Sequence, residues 1–274
     1  MKVNSCCLPC LKGLAEKTVT LSGGDKNLID DCSRLIEKLW DTDTTPPVIS
    51  NTLLKHIKRT TGVHDPYGGT KREEFQKAVR AVHDLRSSLE DSLEGAIKLA
   101  ALGNSLDFFI DGHYDLNNFK FVGAMDKIQE AIYIKGSDIL ILGDNTGDFI
   151  FDMPLVDYLE RKGKKVYYAV RERPVQNDLS LEDVDRFGLR KMFARIVSTE
   201  TDEVGMKKED IRGTIKALWE SGAVVIAKGM GNFETISEFH NERPVMYIMK
   251  VKCPAVAHAV GQDVGVYIAS IGGE

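Results

Sequence analysis

The chain has 274 residues, 43% of them hydrophobic and 28% charged, with a formal net charge of -5 and a pI of about 5.8. This is an ordinary globular mix, long enough for one large domain or two smaller ones, and it excludes the basic stripe of a nucleic-acid binder. No stretch reaches the ~20 apolar residues of a membrane helix, and the opening "MKVNSCCLPCLKG" lacks the apolar core of a signal peptide, so a cytoplasmic protein without membrane or nucleic-acid partners is expected.

From Lys2 to about Phe109 the apolar spacing is helical. Leu28, Ile29, Cys32, Leu35, Ile36, Leu39 and Trp40 share one face at three-four spacing. The run Asp43-Thr44-Thr45-Pro46-Pro47 ends that helix, and either proline can open the next. Phe75, Val79, Val82 and Leu85 mark a further helix, and Leu89, Leu93, Ile97 and Ala100 continue the pattern. Residues 1–110 therefore read as an all-helical N-terminal region.

The character changes from Ser137 onward. Short, β-branched apolar runs occur at 139–142, 166–170, 195–198, 224–227, 245–249 and 264–269, separated by helical stretches such as 151–162 and 181–193. Continuous apolar strands alternating with helices predict an α/β fold, a mostly parallel, doubly wound sheet of Rossmann-like three-layer type, over residues 111–274. In such sheets ligands bind outside the carboxyl ends of the strands. No internal repeat or low-complexity tract is visible, and no stretch carries a signal for an oligomeric state.

Four of those strand ends carry polar chemistry. The first delivers Asp144 and Asn145 in "GDNTGD". The second runs into "RERPVQNDLSLEDV" and delivers Asn177 and Asp178. The strand at 224–227 delivers "KGMGNFE", with Lys228, Gly229, Gly231, Asn232 and Glu234. The strand at 245–249 delivers Lys250, Lys252 and Cys253. Asp and Asn oxygens are hard ligands suited to Mg²⁺ or Mn²⁺ and tolerable for Co²⁺ or Ni²⁺. Two carboxylates from Asp144 and Asp178 with the Asn145 carboxamide would leave positions open for water and an anionic phosphate. Lys228 or Lys252 would complete neutralisation, and Gly229 and Gly231 would let backbone N–H groups approach an oxyanion.

Each piece also has a bland reading. Asp144 after a strand is a natural helix N-cap, and Asn177-Asp178 can cap the next helix. A lone G-x-G is weak evidence, and lysines after strands are usually solvated. The convergence of all four at carboxyl ends favours a site. There is no G-x-x-x-x-G-K-[ST] phosphate loop and no G-x-S-x-G nucleophile elbow.

The chain resembles the metal-dependent damage-control phosphatases, long catalogued as domain of unknown function 89. "CLPC", "HDPYGGTK" at 64–71, "GNSLDF" at 103–108, "GDNTGD", "RPVQND", "IAKGMGNFE" and "KCPAVA" match in order and spacing, over nearly the whole length, and the N-terminal Cys pair is similar to the archaeal and bacterial branch. The resemblance implies one divalent metal ion (Mn, Co, Ni or Mg) on Asp144, Asn145 and Asp178. It also implies hydrolysis of small phosphorylated metabolites such as sugar phosphates or phosphopantetheine-like compounds. Lys228, Asn232, Glu234 and Lys252 carry over as substrate-side residues, with Asn104 and Asp107 near the pocket. Two departures stand out. Asp148 replaces the family's usual Glu, one methylene shorter, and Glu200 stands where glycine is common.

The five cysteines are Cys6, Cys7, Cys10, Cys32 and Cys253. An odd count without a secretion signal argues for reduced thiols or metal ligands. Cys7-Leu8-Pro9-Cys10 is one C-x-x-C pair where a structural zinc site commonly uses two. It reads either as plain thiols at a helix start or, with Cys253, as a second site for a soft metal or cluster. The six histidines show no metal spacing, and His64 serves to order the "HDPY" turn. Phosphomonoester hydrolysis is the leading reading. Water and a carboxylate are equal candidates for the attacking group, and Asp178 is open as ligand, base or nucleophile. An S-adenosylmethionine-dependent carboxyl methyltransferase is the alternative, although the usual glycine-rich first loop is absent; a non-catalytic metal-binding module is the third.

Overall fold

The computed structural model describes residues 1–85, 90–104, 119–134 and 138–273. Asp107, His113, Leu89 and the expected helical reach to Phe109 lie outside those residues. The α/β expectation is borne out. Among the described residues seven strands form one sheet: β1 (Phe121–Gly123), β2 (Asp138–Leu142), β3 (Lys165–Val170), β4 (Ile196–Ser198), β5 (Val224–Lys228), β6 (Val245–Lys250) and β7 (Tyr267–Gly272), in the order β1-β7-β6-β5-β2-β3-β4. All neighbours are parallel except β6 and β7. From β2 the chain winds outward through β3 and β4 on one side, then returns to wind through β5 and β6 on the other. The crevice between the ends of β2 and β5 is therefore a topological switch point.

Alternation along the strands builds two cores. Ile139, Ile141, Ile226 and Ile248 point to one face, and Leu140, Leu142, Val225, Ala227, Tyr247 and Met249 to the other. The first face is covered by α4 (Gly68–Leu85), α5 (Leu93–Gly103), α6 (Met125–Ile134), α7 (Asp148–Arg161) and α8 (Leu181–Arg186). The second is covered by α9 (Gly213–Glu220), α10 (Gly229–Ile236) and α11 (Pro254–Val260). A separate apolar cluster holds α1 (Cys7–Leu21), α2 (Lys26–Leu39) and α3 (Pro46–Thr61) together. Thus α4 and α5, helical as the sequence predicts, pack on the sheet while the first three helices keep a core of their own.

Some boundaries differ from the sequence reading. α7 starts earlier than 151, because Asp148 and Phe149 are already buried in the helical layer. The expected helix 181–193 breaks at Gly188, whose φ of 67° is left-handed, and resumes as a 3₁₀ turn, Leu189–Lys191. The last strand starts late because Gly265, φ 93°, turns the chain and donates its N–H to the Val251 carbonyl. Among the described residues no helix is long and apolar enough to cross a membrane.

Candidate active site at the strand switch point

β2 ends at Leu142, and Asp144 and Asn145 come next at the switch point. The turn after β3 lies opposite, and the two loops are stitched through their backbones. Thr146 N–H donates to the Asn177 carbonyl and Leu179 N–H to the Asp144 carbonyl, each at 2.9 Å. Asn145 and Asp178 form the β-bridge between them. Asp144, Asn145 and Asp178 are thereby brought together. Just before them Gln176 holds a φ of 43°, a left-handed backbone kept at this turn by its surroundings.

The capping alternatives do not describe this site. α7 has Gly147 at its N-cap with no side-chain cap bond. α8 is capped by a Ser180–Asp183 capping box. Neither Asp144 nor Asp178 is spent on a helix end. Instead, Asp144 Oδ2 accepts from Asn104 Nδ2 at 2.8 Å, and the same amide reaches Asp148 Oδ2 at 3.1 Å. The Asn104 Oδ1 accepts from the Lys250 N–H at 3.2 Å, which fixes the amide's orientation.

Three carboxylates share this space. Burial, then the neighbouring Asp178 and Asp148 charges, push the Asp144 carboxyl up to about 8. Burial also raises Asp148, against the pull of Lys228 and the Asn104 hydrogen bond. Asp148 is fully buried, and its Oδ1 has no hydrogen-bond partner. The shorter side chain at this position thus meets Asn104 with one oxygen and leaves the other unsatisfied. Crowded anions with an orphan oxygen are the environment a cation relieves.

The lysines divide. Lys252 is exposed, and its charge acts on Asp144, Asp148 and Glu74. Lys228, expected on the open side of the site, is corrected. Its ammonium is fully buried, donates to the Ala100 carbonyl and to Asp152 Oδ1 at 2.6 Å, and so neutralises a carboxylate beneath the cluster. Asn232 is likewise a brace: its amide donates to the Lys228 carbonyl at 2.8 Å and the Gly143 carbonyl at 3.2 Å, and its Oδ1 accepts from Arg171 at 3.3 Å. Glu234 and Gly231 line a cavity with the cysteines. Gly229, φ 73°, abuts the Asp144 carboxylate and opens α10 at the site.

Sequence reasoning missed three groups. Arg171, the buried residue after β3, donates from Nε to Asp178 Oδ2 at 2.9 Å and from Nη1 to the Gly205 carbonyl at 2.7 Å. It orients Asp178. A signal existed in its position one residue past an apolar strand, where a solvated arginine reads identically. Glu74 of α4 is buried, accepts from Asn177 Nδ2 at 2.9 Å, and leaves Oε2 without a partner; burial pushes it up to about 8. Asp152, held by Lys228 and by Tyr168 OH at 2.8 Å, is pushed by burial up to about 6. The "HDPYGGTK" motif is structural: Lys71 and Asp183 form a fully buried pair at 2.8 Å, and His64 meets Glu182 on the surface at 2.8 Å.

Among the described residues no three His, Cys, Asp or Glu side chains are gathered around a point as a ready ion site. The donor set here is different in kind, two carboxylates and a carboxamide, all hard oxygens. With the crowding at Asp144 and the orphan Asp148 oxygen, it fits a hard divalent cation better than it fits none.

A family model described as the damage-control phosphatase ARMT1-like domain matches residues 3–268. A damage-control phosphatase of Pyrococcus horikoshii is 29% identical over 273 residues, 94% of this chain and 93% of its own length. Another, of Archaeoglobus fulgidus, is 23% identical over 287 residues, 99% of each. The crystal structure of a duf89 family protein from Pyrococcus horikoshii superposes with a TM-score of 0.86 at 26% identity, covering 98% of both chains.

Proposed function

Since this chain belongs to the damage-control phosphatase ARMT1-like domain family, and homologues named damage-control phosphatases support a phosphatase role, we propose that it hydrolyses phosphomonoesters of small metabolites with one divalent cation on Asp144, Asn145 and Asp178. Sugar phosphates, phosphopantetheine-like compounds and damaged phosphometabolites are the substrate classes, and Mn²⁺, Co²⁺, Ni²⁺ or Mg²⁺ the ions. The observation that carries this reading is geometric: the bridged loops bring Asp144, Asn145 and Asp178 together at the sheet's switch point, with one Asn104 amide shared between Asp144 and Asp148. When bound, the ion supplies a Lewis acid and a template for the phosphoryl group.

The chain's own residues divide the remaining work. Asp144 and Asp178 offer anionic oxygens, and Asn145 adds a neutral one, so a divalent ion there is close to neutralised and still accepts an anionic substrate. Arg171 fixes the rotamer of Asp178, and Asn104 fixes that of Asp144. Lys252 is the exposed cation available to phosphoryl oxygens and takes over the role expected of Lys228. The first N–H groups of α10 add partial positive charge at the same crevice. Water or a carboxylate remains the attacking group. The expected setting is the cytoplasm, in keeping with five free thiols. Phosphate release from an aryl phosphate, measured with each ion and with excess chelator, tests the proposal. Chelator-sensitive turnover that Mn²⁺, Co²⁺, Ni²⁺ or Mg²⁺ restores supports it, and turnover indifferent to chelator overturns it.

A further inference from the structure

The turn of α4 from Lys71 to Phe75 has no part in that chemistry, yet it brings a buried carboxyl against the loops of the site. Lys71, Glu74 and Phe75 fall at three-four spacing and so share one face of the helix. That face is fastened to α8, which follows the Asp178 loop. Lys71 Nζ donates to Asp183 Oδ2 at 2.8 Å in a fully buried pair, and the Phe75 ring stacks on Phe187 with centroids 4.4 Å apart. Glu74 stands between these two anchors and is only 4% exposed. Its side chain is therefore a fixed acceptor carried on a rigid element.

Glu74 takes its hydrogen bond from the middle of the Asp178 loop. Asn177 Nδ2 donates to Glu74 Oε1 at 2.9 Å. The Asn177 carbonyl in turn accepts from the Thr146 N–H at 2.9 Å and from the Thr146 hydroxyl at 3.0 Å, both on the Asp144 loop. The same stretch of α4 also backs that second loop: a Cβ on Gly147 would lie 3.6 Å from the Glu74 carbonyl oxygen and 3.6 Å from Ala78 Cβ. Both loops thus bear on α4 at Glu74. Gln176, next to Asn177, has a φ of 43°, a backbone that persists only where its surroundings over-determine it. Stability alone does not account for the carboxyl. Among the described residues Glu74 Oε2 has no hydrogen-bond partner, and a buried polar atom left unsatisfied costs free energy.

We propose that Glu74 is a positioning residue: through Asn177 it holds the Asp178 loop in register with the Asp144 loop, so that Asp144, Asn145 and Asp178 are gathered before an ion arrives. The helical N-terminal region thereby contributes to the site without placing a ligand in it. The effect on an ion rests on the phosphatase reading, and the clamp on the two loops does not.

The test compares Glu74→Ala, which removes the acceptor and suits a helix, with Glu74→Gln, which keeps an oxygen for Asn177. Residue-resolved hydrogen exchange is measured on the metal-free chain. The Thr146 and Leu179 amides, which stitch the loops, should exchange roughly tenfold faster in Glu74→Ala, the worth of one such bond. Ile141 and Val225, in the central strands, should keep their rates, and Glu74→Gln should keep all four. Calorimetric titration with Mn²⁺ should then show affinity lower by roughly tenfold or more in Glu74→Ala, the usual cost of losing an outer support of a metal ligand, and largely restored in Glu74→Gln. The proposal is overturned if Thr146 and Leu179 exchange at parental rates in Glu74→Ala, if the central strands speed up with them, or if Mn²⁺ affinity in that variant equals the parent's. Failure of the phosphatase reading shows separately, as a parent chain that takes up no Mn²⁺, and the exchange comparison then decides the clamp by itself.

Discussion

Gly229 stands directly against the carboxylate of Asp144: a Cβ built on it would lie 1.8 Å from Asp144 Oδ2. With its φ of 73°, the position is closed to other residues on two counts, left-handed backbone and contact. Gly229→Ala must therefore move the carboxylate or the turn. The expected loss is on the order of a hundredfold in kcat/KM, the effect of displacing a reacting group by about 1 Å. Steady-state kinetics beside a metal titration checks this, and near-normal values in both would show that the Asp144 carboxylate need not stay where it is.

Asp144 and Asp178 should part company in stability although the proposed function uses both. Asp144→Asn removes a carboxyl held up by burial and like charges, so the metal-free variant should be as stable as the parent or more so. Asp178→Asn takes the anionic partner from buried Arg171 and should cost roughly 3 kcal/mol. Urea unfolding of both variants in chelator gives the comparison. Equal destabilisation would contradict the electrostatic assignment.

The two lysines should separate in the opposite sense. Lys252 is exposed, so Lys252→Ala should leave stability within about 0.5 kcal/mol and reduce kcat/KM by on the order of a hundredfold. Lys228→Met breaks a fully buried pair with Asp152 and should cost roughly 3 kcal/mol or more. The double variant Lys228→Met/Asp152→Asn should recover part of that. Wild-type kinetics in Lys252→Ala would remove it from the phosphate side.

Glu74 gives a pH dependence. Burial lifts its carboxyl from 4.5 to about 8. Between those values the folded protein holds a proton that the unfolded chain has released. Stability is therefore fullest below the lower value and declines as pH rises toward the higher one. Glu74→Gln cannot titrate, and its amide oxygen can still accept from Asn177. Its advantage over the parent should be absent near pH 4 and grow to on the order of 3 kcal/mol by about pH 7, in metal-free protein. Parallel stability–pH curves for the two proteins would contradict the burial of a titrating Glu74.

The switch-point geometry was legible because it depends on strand order and periodicity. Unbroken apolar runs such as Ile139–Leu142 and Val224–Ala227 announce buried parallel strands, and the residues just past such strands must gather at their carboxyl ends. The features that were not legible depend on pairings remote in sequence. Lys228 sits at the end of a strand, as expected, yet its ammonium turns inward to Asp152 and to the carbonyl of Ala100. Arg171 belongs to the site only through Asp178, Gly205 and Asn232. Glu234 was grouped with its neighbours at one strand end, but one turn of α10 carries it to the side of the cysteines. β1 is three residues long, too short for any periodic signal, and owes its existence to its pairing with β7.

That last pairing bears on how the molecule is made. β1 precedes the whole winding sequence of strands, yet its partner in the sheet is the final strand, β7. In chain order β2, β3 and β4 come before β5 and β6, and the backbone bonds that join the loops carrying Asp144 and Asp178 use nothing beyond Leu179. The segment at 121–123 meets its partner in the sheet only once residues 267–269 have been made. The two edges of the sheet thus differ: β4 follows its partner β3 directly, while β1 is completed only by β7.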